Sequence, residues 1–111
     1  MIQAKNRFKG NRQIMTIIKK GQSVYAQNSK LKYLINANQE NPKFTVVVSR
    51  KVSKKAVVRN RIRRRVYETI RRYHLKNRGM FALFVYSENF AYIKHQELKD
   101  ILNELFTKTK Y

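Results

Sequence analysis

The sequence predicts an α+β fold: one domain in which helices pack on a single mixed sheet of about four strands. Three observations predict it. The chain has 111 residues, enough for one hydrophobic core and too few for two. Two short apolar runs, Phe44–Val48 and Met80–Tyr86, are separated by a long helical pattern, a spacing that fits a crossover between parallel strands. Two further segments, one near each end of the chain, repeat apolar residues at the helical period.

Each element follows from local chemistry. Asn11 can cap a first helix in which Ile14, Ile17 and Ile18 form an i, i+3, i+4 stripe. Gly21, after Lys19-Lys20, is suited to stop it. Residues 23–36 read as extended chain, as one strand or split in two, with Leu31, Tyr33 and Ile35 on one face. Asn36 to Pro42 reads as a turn. Phe44–Val48 is apolar on both faces and reads as a central strand. A helix is predicted over 53–73. Gly79 breaks the chain before a second buried strand over 80–86. A last helix is predicted over 94–107, with Leu98, Ile101, Leu102, Leu105 and Phe106 at amphipathic spacing and no evident N-cap. Tyr25, Phe81, Phe84 and Phe106 are expected in the core, and His74 and His95 on the surface.

Composition narrows the function. Lys and Arg number 26 against 6 Asp and Glu, a formal charge of +20, while hydrophobic residues still make up 42% of the chain. That is a folded polycation rather than a disordered tail. There is no Cys, which excludes a disulfide scaffold or a Cys-based zinc module. The two histidines lie 21 residues apart, so a histidine metal site is not expected. No apolar run reaches the roughly 18 residues of a membrane span, and the polar start, Met1 to Arg12, has no signal-peptide character. A cytoplasmic location is expected.

The charge is also one-sided. Arg50 to Arg72 holds 11 basic residues and one acid, Glu68, whereas the last 24 residues hold four bases and four acids. The whole +20 therefore sits on residues 1–87. A dense phosphate array rewards such clustering through counterion release, so nucleic acid is the leading partner.

On an ideal helix of roughly 100° per residue, Val58, Ile62, Val66, Ile70 and Tyr73 fall in one buried arc. Asn60, Arg61, Arg64, Arg65, Arg71 and Arg72 fall opposite, with Arg59 and Arg63 at the margin. A merely solvated face mixes signs, but Arg63-Arg64-Arg65 has only Glu68 near it. Arg outnumbers Lys here, and guanidinium forks bind phosphate bidentately and stack on bases.

These residues carry a family resemblance. Arg59-Asn60-Arg61, within Lys55-Ala56-Val57-Val58-Arg59-Asn60-Arg61-Ile62-Arg63-Arg64, resembles the RNR motif of the bacterial ribonuclease P protein subunit. Val48-Ser49-Arg50-Lys51 is similar to the V-S-K-K that ends a strand in that family. Asn6-Arg7-Phe8-Lys9, Ile14, Ile17-Ile18-Lys19-Lys20-Gly21 and Ser23-Val24 follow the family's N-R-L-K … F-x-x-V-F-K-x-G-x-S-V pattern without a gap, and Glu97-Leu98 resembles its terminal E-L helix. The likeness runs from residue 6 to about 106.

The resemblance implies an α-β-β-β-α-β-α order with a left-handed βαβ crossover, and a flexible basic arm over residues 1–10. It implies a protein cofactor of the ribozyme that removes the 5′ leader from precursor tRNA. RNA and Mg²⁺ would perform the hydrolysis, the metal being held by the RNA subunit and substrate. It implies no catalytic or metal-ligating residue in this chain, no DNA or membrane partner, and one protein per RNA. Carried over by position, Ser49, Arg50, Lys51, Lys55, Arg59, Asn60, Arg61, Arg63, Arg64 and Arg65 would contact the RNA subunit. Ile14, Ile18, Ser23 and Tyr33 would line the cleft for the leader.

The sequence departs from the family pattern in places. The family usually has Phe where this chain has Ile14 and Ile18, so these are read either as cleft residues or as helix core. Tyr67 stands where Arg is frequent, and a common glycine is replaced near Ser53. Tyr33 fits only with a one-residue shift, and is read as cleft-lining or as a cross-strand packing aromatic. A ribosomal or other structural RNA-binding protein shares the size and charge, but more often carries a long basic extension. A DNA-binding module would be expected to show helix-turn-helix spacing, which is absent.

Overall fold

The extended region after the first helix is a hairpin, and this completes an α-β-β-β-α-β-α order. A computed structural model describes residues 11–35, 42–74 and 79–109, without the side chains of 11–14. The expected arm over 1–10 and most of the turn before Pro42 lie outside the described residues. The elements are α1 (Asn11–Lys20), β1 (Gln22–Ala26), β2 (Ser29–Leu34), β3 (Lys43–Val48), α2 (Ala56–Tyr73), β4 (Met80–Val85), a 3₁₀ turn (Glu88–Ala91) and α3 (His95–Lys108).

The four strands form one sheet in the order β1-β2-β4-β3. β1 and β2 pair antiparallel, with Ala26 opposite Ser29. The two residues between them turn the chain, and Asn28 takes the left-handed conformation at φ 51°. β2 runs antiparallel to β4, and β3 runs parallel to β4, as the crossover reading requires. Gly79 enters β4 at φ 137°, and a Cβ there would stand 2.5 Å from the Leu34 carbonyl oxygen.

β3 is not central: it pairs only with β4 and forms an edge among the described strands. Apolar groups on both of its faces say how the sheet is covered, not how many neighbours the strand has. Part of the edge is closed by a side chain. The Val46 N–H donates to the Tyr67 hydroxyl at 3.1 Å, which spares a half-buried backbone donor from going unpaired.

The core lies between one face of the sheet and the helices α2 and α3. From α2 it takes Val58, Ile62, Val66 and Ile70; from α3, Leu98, Leu102, Leu105 and Phe106. Phe81 stacks on Phe44 at 5.3 Å between centroids and meets Phe106 at 5.3 Å. α2 begins three residues later than the sequence predicts, because Ser53 shapes a turn: its hydroxyl accepts from the Lys55 N–H at 3.2 Å.

The burial expected of four residues is corrected. Tyr73 is 47% exposed, although its helical angle places it in the buried arc. The helix ends there, and His74 turns inward instead, its ring stacking on Phe106 at 4.2 Å. His74 is therefore a core residue, and burial holds its pKa down at about 4. Tyr25 is 61% exposed and Phe84 only half-buried, because strand alternation puts both on the sheet face opposite the main core.

Candidate nucleic-acid interface

The cationic side chains of α2 fall into two groups that the sequence does not distinguish. One group is tied to backbone. Arg59 Nη1 donates to the Ser53 carbonyl at 2.8 Å, fastening the first turn of α2 to the loop before it. Arg63 donates through Nη1 to Asn60 Oδ1 at 2.7 Å and through Nη2 to the Val48 carbonyl at 3.4 Å. Arg61 Nε donates to the Ala91 carbonyl at 2.8 Å. Arg65 Nη1 donates to the Phe90 carbonyl at 2.7 Å, and Nη2 to the Ile93 carbonyl. Burial first, and then the nearby Arg61 charge, lower the Arg65 pKa, but a guanidinium remains charged at neutral pH. Arg65 thus does not stand free toward solvent as the helical wheel suggests. Both of its terminal nitrogens serve the chain between β4 and α3.

The second group is open. Arg64 is exposed and has no protein partner among the described residues. Ser49, Arg50, Lys51, Lys54 and Lys55 are exposed in the loop that enters α2, in which Val52 is half-buried and Ser53 buried. Arg50, Lys51, Lys54 and Arg59 line one open cleft. Arg61 spends a single donor on Ala91 and keeps its outer nitrogens, and Asn60 is exposed beside it. At the far end of the helix Glu68 is engaged by Arg71 and, at 3.9 Å, by Arg72, and this hydrogen bonding to Arg71 lowers its pKa. The lone acid of the helix is an ion-pair partner.

The sheet supplies a second surface. Register places Tyr25, Lys30, Phe84 and Val47 in one row across the sheet, and Ser23, Lys32, Ala82 and Thr45 in the next. α1 crosses this face. Ile17 and Ala82 are fully buried at the contact, and Lys32 Nζ donates to the Ile18 carbonyl at 3.3 Å. Ile18 itself is 42% exposed, so of the two readings it is not helix core. Lys30 Nζ lies 5.0 Å from the centre of the Phe84 ring. The result is an open sheet face of aromatic and cationic side chains beside α1, the combination that stacks unpaired bases and holds their backbone.

Two expected cleft residues stand apart. The side chain of Ile14 lies outside the described residues. Tyr33 pairs with Gln22, not with the Ser23 row, and is buried on the opposite face, its hydroxyl 2.9 Å from Gln22 Oε1. The one-residue shift that would bring Tyr33 into the cleft also turns it through the sheet. Sequence reasoning missed Tyr25, Lys30, Lys32 and Phe84 as companions of Ile18 and Ser23. The signal was the alternation 23, 25 and 30, 32, legible once the turn at Gln27-Asn28 is recognised.

Among the described residues no three His, Asp or Glu gather closely enough to hold a metal ion, and no helix is long and apolar enough to cross a membrane.

The comparisons with known proteins agree with this geometry. The solved ribonuclease P protein of Thermotoga maritima superposes with a TM-score of 0.80 at 23% identity, covering 95% of this chain and 98% of that one. The Staphylococcus aureus protein superposes at 0.76 with 21% identity, covering 92% and 93%. These likenesses speak to the fold. In sequence, the ribonuclease P protein component of Rippkaea orientalis is 39% identical over 70 residues, a match that spans 60% of this chain and just over half, 55%, of that protein. That of Pseudanabaena is 30% identical over 112 residues, covering 99% of this chain and 96% of its own. The Ribonuclease P family model matches residues 2–110. A match of that extent, on a chain whose arginine-bearing helix crosses between parallel strands of this sheet, places the protein in the ribonuclease P protein family.

Proposed function

We propose that this chain is the protein subunit of an RNA-based ribonuclease P and serves removal of the 5′ leader from precursor tRNA. The observation that carries the reading is the placing of cations around α2. Arg64, the outer nitrogens of Arg61 and the Arg50, Lys51, Lys54, Lys55 loop leave cations open around a helix that spends Arg59, Arg63 and Arg65 on holding shape. The catalytic RNA is the partner for that surface, one protein to one RNA. The single-stranded leader lies across the open sheet face beside α1, with Ile18, Ser23, Tyr25, Lys30 and Phe84 beneath it. The complex works in the cytoplasm.

Mg²⁺ does not fit a site in the described chain. Glu68 is taken by Arg71 and Arg72, Glu104 by Lys108, and no acidic cluster is left to hold a hydrolytic metal. The RNA and substrate hold the metal and carry out hydrolysis. The protein adds cations and an aromatic floor, so it acts on substrate binding and on the Mg²⁺ requirement.

The test is cleavage of precursor tRNA by a bacterial ribonuclease P RNA at low Mg²⁺, with and without this protein. The protein should raise cleavage and bind leader-bearing substrate better than mature tRNA. Site-specific cleavage by the protein without RNA would overturn the proposal.

A further inference from the structure

The chain between β4 and α3 is held by burial and by hydrogen bonds from its own turn and from α2. Phe90 and Ala91 are buried at 2% and 0% exposure. The Ser87 hydroxyl closes the start of the 3₁₀ turn by accepting from the Asn89 N–H at 3.1 Å. From α2, Arg65 and Arg61 hold the carbonyls of Phe90, Ala91 and Ile93. The residue between the last two carbonyls is Tyr92, which is 62% exposed. Its backbone is clamped on both sides while its ring stands in solvent. The Arg61 guanidinium lies over that ring, 5.6 Å from the centroid, a cation–π distance that draws the two planes together.

Holding an exposed aromatic so firmly does nothing for the core, to which Phe90 and Ala91 before it and Ile93 after it contribute and Tyr92 does not. It does suit a ligand that stacks. A base has a π-face whatever its identity, and stacking on a ring already held in place costs little ordering entropy. Arg64 lies three residues beyond Arg61, hence next to it on the same face of α2, and is unpartnered among the described residues.

We propose that Tyr92 is a stacking site for an unpaired base of the partner RNA, backed by Arg61, with Arg64 receiving a neighbouring phosphate. The site extends the α2 interface onto the β4–α3 connection, and it rests on the reading of the chain as a ribonuclease P RNA partner. It also gives Arg61 and Arg65 a positioning role, since they set the platform through backbone carbonyls.

The test is binding of the full chain to a bacterial ribonuclease P RNA across a salt series, for the parent, Tyr92→Ala, Tyr92→Phe and Arg64→Gln. Tyr92→Ala should weaken binding by about 5- to 100-fold with the salt slope unchanged, because stacking releases no counterions. Tyr92→Phe should bind like the parent. Arg64→Gln should lower the slope by about one unit. The ring is exposed, so the melting temperature of both Tyr92 variants should match the parent, which separates lost contact from lost fold. Parental affinity in Tyr92→Ala, alongside a weakened Arg64→Gln, overturns the stacking site and leaves the functional reading standing. Equal losses in Tyr92→Ala and Tyr92→Phe would assign the contact to the hydroxyl and overturn stacking. Failure of the parent itself to bind the RNA would instead overturn the functional reading.

Discussion

On one side of the sheet, α2 and α3 cover Leu31, Tyr33, Phe44, Val46, Val48, Phe81, Leu83 and Val85, none of them more than 5% exposed. On the other side α1 covers Ala82 and leaves Tyr25, Lys30 and Phe84 within reach of solvent. The closed face satisfies itself: its rings stack on one another, and its polar Tyr33 hydroxyl finds Gln22. The open face does not, for Phe84 meets a lysine rather than another apolar side chain. The same division recurs within α2, where Ile62 is fully buried and Arg64, two residues on, faces solvent without a partner among the described residues. Substitutions on the closed side should therefore cost stability, and those on the open side should cost binding.

The largest expected effect is in the closed core. Ile62 is fully buried among β-strand and helix side chains, so Ile62→Ala should lower unfolding stability by about 2–5 kcal/mol. Urea denaturation measures it. A loss under about 1 kcal/mol would mean that α2 is not the element that seals this face.

Next come the two kinds of arginine. Arg65→Ala leaves the Phe90 and Ile93 carbonyls without their donors and should destabilise the fold by about 1–3 kcal/mol. Arg64→Ala should change stability by less than about 0.5 kcal/mol, as surface substitutions do, while weakening RNA binding. Thermal melts beside RNA titrations would blur the comparison if the two variants behaved alike.

Acid sharpens it from a different direction. His74 is neutral in the core with its pKa lowered to about 4, against an ordinary value near 6.5. The unfolded chain therefore binds the extra proton first as pH falls. The stability tied to a neutral His74 is complete above about pH 6.5 and is lost as pH drops toward 4, on the order of 1 kcal/mol between pH 7.5 and 5.5. His74→Phe keeps a ring against Phe106 and removes the titration. Its stability should be flatter over that interval than the parent's, and a parallel fall in both would show that the buried imidazole is not the acid-sensitive group.

How much of this was legible depends on how local the cause is. The long helix and its stripe were legible, because a 3.6-residue period over 18 residues is hard to produce by accident. The place of the turn in the hairpin was not, because Gln27-Asn28 lacks glycine and proline and turns on one left-handed asparagine. Without that turn the shared face of Leu31 and Tyr33 was legible, but the parity of β1 against β2 was not, and with it the role of Tyr25. The edge position of β3 was illegible for another reason. It is closed partly by Tyr67, 21 residues along the chain, and no window over the strand contains that hydroxyl. Likewise the arginine pattern announced a charged face, but it could not say which guanidinium groups would meet carbonyls arriving from Phe90, Ala91 and Ile93.

On the open face the expected effect on stability is again small, and there the comparison discriminates best. Phe84 is half-buried, under Lys30 on one side of the row and next to Val47 on the other. Its replacement by Leu keeps the apolar bulk over the sheet and removes the flat ring. Phe84→Leu should therefore cost less than about 1.5 kcal/mol of stability, the range for a near volume-conserving exchange. A base that stacks on the ring loses its partner, so affinity for precursor tRNA in the assembled complex should fall by about 5- to 10-fold or more. Affinity for mature tRNA, which has no leader to lie across the sheet, should not change. The difference between the two substrates is the measurement, because a general loosening of the fold weakens both alike. Equal losses on the two would make the open face a structural surface that α1 happens not to cover, and would leave α2 and its surroundings as the whole of the RNA interface.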